Sequence, residues 1–518
     1  MACPDSEPLN LNAIYLLAQP PPFSRLPRRR SGAQFSWRPS LLAGGFFRQG
    51  FAFKACSLSK GPIMKHLFHL PAALLFLLCT AVRAPAQSSP YPTPDLAQTY
   101  DRLLTKINAI PIYDNHAHPG FADDTDVDAM AAPPDESSVL RLRDDNPEFV
   151  AASKFLFKYP YDDYKPEHAK WLADIKKAAE TAGGQAYFDS ILDKLNVETC
   201  LANRAFMAPY LNPKRFHWVF FADSFFYPFD NREQTASTPD MGVYIPLQEK
   251  MLARYKKQMT ERGLYLEPGK DKDALPADLA GYENFVRNTM ADNQKRGGVA
   301  VKFEAAYFRT LYFADPPREK ADAIYAKYHS GGIPTAEDYR LFQDYIFRVI
   351  VDQAGKLKLP VHFHSAVGIG DYFSLRQGNV LNLENVLRDP RYRNVTFVLL
   401  HGGWPYEREA ALLTAVRNVY LDTSLQSEML YPSQFKSVLK QFLTLYPDKI
   451  MFGSDAFPFN DALGAEESFW LAAYTSRTAL AGALAELVSE HAVSEDKAVE
   501  LAHLYLHDTA AKLYGGTK

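Results

Sequence analysis

Ile110-Pro111-Ile112-Tyr113-Asp114-Asn115-His116-Ala117-His118 is an apolar run that ends in two histidines. The run reads as a short β-strand, and residues two apart on a strand face the same side. Both imidazoles can therefore turn toward one ion. Three further runs end the same way. They are Pro360-Val361-His362-Phe363-His364, Val395-Thr396-Phe397-Val398-Leu399-Leu400-His401 and Ile450-Met451-Phe452-Gly453-Ser454-Asp455. In a barrel of parallel strands such ends converge on one face, where active sites are built. Imidazoles with a carboxylate suit a zinc-like divalent ion.

Working outward from these runs, eight strand candidates emerge: 112–118, 197–202, 217–222, 298–305, 360–364, 395–401, 418–423 and 449–455. Most are short, apolar and β-branched or aromatic, as parallel strands covered on both faces should be. Helical patterns at 166–182, 244–262, 279–296, 335–357 and 407–417 lie between them, and 494–513 reads as a closing helical pair. Eight strands alternating with helices predict an α/β fold, a (β/α)8 TIM barrel. Segments 119–196 and 223–297, after strands 1 and 3, exceed a normal crossover and are expected to be helical cap insertions on the catalytic face. The aromatic stretch 221–229 reads either as cap packing or as substrate lining.

The N-terminus carries a different signal. Met64-Lys65-His66 opens a weakly positive stretch, 67–82 is apolar, and Ala84-Pro85-Ala86 offers small residues for cleavage. This pattern at 64–86 predicts a secretory signal peptide and a periplasmic or secreted protein, and it is too short and wrongly flanked for a membrane span. A signal placed behind 1–63 implies that this leader is non-structural, an over-extended gene start with translation beginning at Met64. Residues 87–110 then form an N-terminal segment and 111–518 the barrel. Residues 1–86 hold ten Lys/Arg and two acids of the chain's 57 and 60, so the mature 432 residues hold 47 bases and 58 acids, a net of −11. That balance argues against a nucleic-acid partner and favours solubility; the expected partner is a small-molecule substrate. Of four cysteines only Cys200 follows the cleavage site, so a mature monomer has no disulfide framework.

The candidate residues divide by role. His116, His118, His364 and Asp455 are expected metal ligands. His362 lies one layer deeper and suits a hydrogen-bonded core histidine better than a ligand. His401 precedes Gly402 and Gly403, which permit a tight turn, and is expected to be a ligand or to polarise the substrate. Asp455 can also accept a proton from water that the ion acidifies. Lys302 and Glu304 share a strand face, and a lysine inside an apolar strand needs a partner. Three readings stay open: a carbamylated Lys302 bridging two ions, Glu304 as a ligand, or a charged pair near one ion. Arg309 with Tyr307, and Arg408 with Tyr406, read either as clamps for a substrate carboxylate or as ordinary salt-bridge residues. Asp422 is expected to orient His401 or to contact substrate.

These motifs resemble the amidohydrolase superfamily, in its amidohydrolase-related branch, and are most similar to the amidohydrolase-like domain of FluG-type proteins. The resemblance rests on Asp114-x-His116-x-His118, on Lys302 with Ala305-Ala306-Tyr307, and on Phe363-His364. It continues through Leu400-His401-Gly402-Gly403 with Pro405-Tyr406-x-Arg408-Glu409-Ala410, Asn418 to Asp422, and Phe452-Gly453-Ser454-Asp455. It departs from the branch at Phe308, which displaces Arg309 by one position, and at Thr310, where a glycine is usual. The resemblance implies a distorted TIM barrel holding one or two divalent ions, commonly zinc. It carries ligand roles onto His116, His118 and His364, a ligand or base role onto Asp455, and a ligand or acid/base role onto His401. The expected reaction is hydrolysis of an amide-like C–N bond. The alternative is non-oxidative decarboxylation of a small acid with one metal.

Overall fold

Eight parallel strands are hydrogen-bonded in chain order: β1 Ile112–Ala117, β2 Val197–Asn203, β3 Phe216–Phe221, β4 Gly298–Phe303, β5 Val361–Phe363, β6 Phe397–Leu399, β7 Val419–Asp422 and β8 Ile450–Met451. The computed structural model describes residues 94–127, 139–143, 145–265, 274–365, 367–368, 370–459 and 464–515. Residues 1–93, which include the expected leader at 1–63, the expected signal peptide at 64–86 and the start of the expected N-terminal segment, lie outside the described residues. The strands form the expected (β/α)8 barrel. Its edges meet where Asn115 N–H donates to the Phe452 carbonyl at 3.0 Å, Asp455 N–H to His116 at 2.7 Å and His118 N–H to Ala456 at 2.8 Å.

The strands end earlier than the apolar runs that announced them. The run into Ala305 stops at Phe303, and the run into His401 stops at Leu399. The run into Asp455 stops at Met451, because residues 452–455 leave β7 and bond across to β1 instead. At each place the polar end of the run turns out of the ladder, which frees its side chains for the catalytic face.

Among the described residues thirteen helices surround the sheet, with several shorter turns. In chain order they are α1 Pro94–Ala109, α2 Pro147–Phe157, α3 Pro166–Gly183, α4 Ala186–Lys194, α5 Pro239–Glu261, α6 Leu279–Lys295, α7 Arg318–Tyr328, α8 Ala336–Leu357, α9 Glu407–Leu413, α10 Pro432–Leu445, α11 Ala465–Ser489, α12 Glu495–His503 and α13 Thr509–Tyr514. Helix α5 begins before the expected Tyr244. Thr238 caps it by accepting from Met241 N–H, and Pro239 supplies a preset φ at the first position. Segments 119–196 and 223–297 contain α2–α4 and α5–α6. Helix α3 is tied to the barrel by Lys176, whose ammonium meets Glu467 at the start of α11.

Helix α11 was not apparent in the sequence. Its alanines at 472, 473, 479, 481 and 483 are buried among Leu471, Leu480 and Leu484, so the helix is apolar on most sides and lacks a readable polar stripe. Near the strand starts, Tyr113, Leu201, Val219, Val398 and Met451 pack with Tyr514 of α13. Tyr514 stacks on Tyr113 with ring centroids 6.2 Å apart. Among the described residues no helix is long and apolar enough to cross a membrane.

Phe303 is fully buried at the end of β4, between Phe226, Phe347 and Phe363 at 5.6, 5.2 and 5.5 Å. A Phe303→Ala protein is expected to lose about 3–5 kcal/mol of stability, measured by urea unfolding. A loss below ~1 kcal/mol would mean that this aromatic stack does not hold the barrel.

Candidate metal centre

The carboxylate of Asp455 stands at the centre. Its Oδ1 lies 2.9 Å from His116 Nε2 and 3.4 Å from His118 Nε2. Its Oδ2 lies 3.8 Å from His401 Nδ1. One ligand atom from each of His116, His118 and Asp455 falls within 4.8 Å of the others. Donors about 2.0–2.2 Å from a common ion sit a little over 3 Å apart, so the three atoms fit one divalent cation.

Backbone shape places these groups. Asp455 has φ 62° and His401 has φ 63°, both in the left-handed region. For non-glycine residues this costs roughly 1–3 kcal/mol each and is typical of functional sites. Ser454 secures the first turn: its N–H and hydroxyl donate to Asp114 at 2.9 and 2.6 Å. Gly402 and Gly403 continue the second turn at φ 58° and 67°. A Cβ on Gly403 would lie 2.6 Å from the Ala410 Cβ, so a side chain there would push α9 away.

His364 lies outside the three-donor cluster. Its Nδ1 is 2.9 Å from His401 Nε2, its Nε2 is directed to the Val367 carbonyl, and the Tyr307 ring lies 4.6 Å away. The structure thus pairs His364 with His401 rather than with Asp455. His362 sits deeper, with Nε2 2.7 Å from the Tyr514 hydroxyl. Lys302 Nζ is 3.5 Å from His116 Nε2 and 4.0 Å from Glu304 Oε1, beside the ligands.

Asp422 is fully buried behind His401. It accepts from His401 N–H at 3.1 Å, from the Ser424 hydroxyl at 2.6 Å and from Asn115 Nδ2 at 2.8 Å. Ser424 Oγ is also 2.9 Å from His401 Nδ1. The single hydroxyl hydrogen goes to Asp422, so toward His401 the oxygen accepts. His401 therefore carries its proton on Nδ1. Ser424 was missed in the sequence, although its position two residues past Asp422 was the available signal.

The arginines are placed elsewhere. Arg309 is buried, pairs with Asp344, donates to Gln343 at 3.1 Å and lies over the Phe313 ring at 4.5 Å. Its displacement by Phe308 corresponds to this packing role. Arg408 is exposed on α9. Neither touches the histidines. Beside the β1 and β8 ends a cavity of about 350 Å³ is lined by Gly120, Phe121, Lys176, Pro458 and Glu466, among others.

Burial governs the charge states. It pushes His116 and His401 well below the ordinary imidazole value, helped by Lys302 at the first and by His364 at the second. Burial and then Lys302 push His364 down to about 3. Burial alone would raise the Asp455 carboxyl, but His401 and His116 outweigh it and hold it well below the usual carboxylate range. Neutral imidazoles facing an ionised carboxylate are the state that binds a cation. Burial raises Asp422 to about 6, against the donors from Ser424 and Asn115.

Comparisons with known proteins bear on the barrel and on part of its sequence. Residues 328–516 match the Amidohydrolase family model. A stretch of 157 residues is 30% identical to the protein FluG of Emericella nidulans, and it covers 30% of this chain and 17% of that protein. A glucuronate isomerase from Caulobacter crescentus superposes with a TM-score of 0.54 at 15% identity, over 84% of this chain and 98% of its own. A Lactobacillus casei ATCC 334 protein provisionally named a metal-dependent hydrolase gives 0.50 at 18% identity, over 80% and 97%. The structural likenesses show the shared barrel. The barrel therefore carries an Amidohydrolase match over residues 328–516. Over the 157-residue stretch the chain is similar to FluG.

His116→Ala and His118→Ala proteins are expected to keep their far-ultraviolet dichroism and lose bound metal at least tenfold, as counted by plasma mass spectrometry. Unchanged metal content would remove these residues from the centre. A pH dependence follows from His362, whose imidazole burial pushes down to about 3 from an ordinary 6.5. Above 6.5 it is neutral in both states. Below 6.5 the unfolded chain takes up a proton that the folded chain refuses, so stability falls as pH drops from 6.5 toward 3. His362→Gln is expected to flatten that decline in urea titrations across this range.

Proposed function

We propose that the protein is a metal-dependent hydrolase that cleaves an amide-like C–N bond. The observation that carries this reading is the Asp455 carboxylate, with one oxygen among the His116 and His118 donors and the other directed to His401. His116, His118 and Asp455 would hold the ion, and the donor set favours zinc. A bound ion would supply Lewis-acid polarisation of a carbonyl and a more acidic water.

The chain's own groups supply the rest. Asp455 accepts the proton of the attacking water and returns it to the leaving nitrogen. His401, held by Ser424 and Asp422, stands with Nδ1 3.8 Å from Asp455 Oδ2 and orients that base. Lys302 adds a positive charge next to His116 without entering the three-donor cluster. Decarboxylation calls for a cation that anchors the substrate carboxylate. Arg309, the residue suited to that task in the sequence, is committed to Asp344 and Gln343. This favours hydrolysis. The signal-like segment 64–86 further supports export, and N-terminal sequencing of exported protein is expected to begin at Gln87.

Zinc-loaded protein assayed against a panel of amides is expected to release ammonia or amine, and chelation should abolish the release reversibly. Asp455→Asn should lower kcat by about 10³-fold. Full turnover by that variant, or release of carbon dioxide from carboxylic acids without amine release, would refute the reading.

A further inference from the structure

Directly beyond β7, three consecutive side chains are fully buried and leave polar atoms without a hydrogen-bond partner. These are both amide atoms of Gln426, the hydroxyl of Ser427 and Oε2 of Glu428. Folded proteins satisfy nearly all buried polar groups, so four such atoms in one short turn call for a cause. The contrast with Asp422, four residues earlier and fully bonded, is sharp. Leu425, at φ 62°, turns the chain into this position.

The turn borders the metal centre on two sides. The Gln426 amide lies against Gly402, next to His401, where a Cβ on Gly402 would meet its nitrogen and oxygen at 2.7 Å. Glu428 accepts from Ser468, whose hydroxyl in turn accepts from Phe457 N–H at 3.2 Å, two residues past Asp455. The charge is also unbalanced. Arg141 bears on Glu428, but its guanidinium is already neutralised by Glu148 at 2.7 and 2.8 Å, and its other donors reach Ser427 O, Leu430 O and Thr475 Oγ1. Glu428 has no ion-pair partner among the described residues. Burial, and after it the charge of Asp455, raises its carboxyl well above the ordinary value. In that state Glu428 is a neutral acid, and a hydrogen-bond-donating cation that reached Oε2 would return it to a carboxylate.

We infer that Gln426 and Glu428 form a substrate subsite beside the metal centre that holds a free amino group, with Glu428 Oε2 accepting from the ammonium and the Gln426 amide bonding the neighbouring polar group. The inference rests on the hydrolase reading and narrows its substrate to amides that carry an amine, as amino-acid amides do. Glu428 then discriminates between substrates, while Asp455 and His401 serve all of them.

The test compares L-leucinamide with 4-methylpentanamide, the same amide without its amine, by titration calorimetry on zinc-loaded protein. Wild type should bind L-leucinamide more tightly. Glu428→Gln should weaken that binding by roughly tenfold or more and leave 4-methylpentanamide unchanged. Gln426→Leu keeps the shape and removes two unsatisfied atoms, so it should weaken L-leucinamide binding and raise the Tm. Equal affinity of wild type for the two amides, binding of neither, no effect of Glu428→Gln, or a lowered Tm for Gln426→Leu would each overturn the subsite. The wild-type comparison stands even where a variant fails to fold. Ammonia release is read separately. Amine-selective binding without ammonia release would leave the subsite standing and remove the hydrolase reading.

Discussion

The structure depends on one seam. A barrel of eight parallel strands must join its last strand to its first, and here that junction is also where the metal donors assemble. Asp455 N–H bonds the His116 carbonyl and His118 N–H bonds that of Ala456, so closing the ring places the Asp455 carboxylate between the two imidazoles. Ser454 and Asp114 reinforce the seam with two further bonds. Barrel closure and donor geometry are therefore one event. A bound cation would in turn stabilise the closed ring by mass action.

Behind the seam, the interior polar groups form a connected network. Tyr514 of the last helix donates to Asn115, Asn115 donates to Asp422, and Asp422 receives Ser424 and the His401 backbone. Buried polar groups are costly alone and rigid when fully satisfied. This chain of bonds fixes the tautomer and orientation of His401 from the opposite end of the barrel. The polar atoms just past β7 stand outside this network, together with others such as Asp223 Oδ1 and Ser224 Oγ, and a substrate at the proposed subsite would complete them. A site that must bind polar groups leaves its own unsatisfied until the ligand arrives, and folding stability bears the cost.

Much of this was legible in the chain. The eight apolar runs identified the eight strands because a doubly covered parallel strand is a continuous apolar segment. Their polar last residues identified the catalytic face. Other features resisted reading for definite reasons. Helix α11 is buried on most sides and has no amphipathic period to detect. Arg309 follows a motif-like tyrosine, yet one extra residue, Phe308, accompanies its commitment to Asp344 and Gln343. Local spacing cannot report such a partner, since Asp344 lies on α8, far along the sequence.

The sequence by itself determined the architecture and the donor candidates, because strand periodicity, turn glycines and residue chemistry are local properties. It marked His116, His118, His364 and Asp455 as metal donors and His401 as a ligand or a group polarising the substrate. Only the tertiary structure decided how they are shared out. The left-handed turns at Asp455 and His401, and the closure of β8 on β1, bring three donors to one point and set His364 against His401 instead. Likewise, that Glu428 and Gln426 are buried without partners is a property of everything packed around them, and no stretch of sequence contains it.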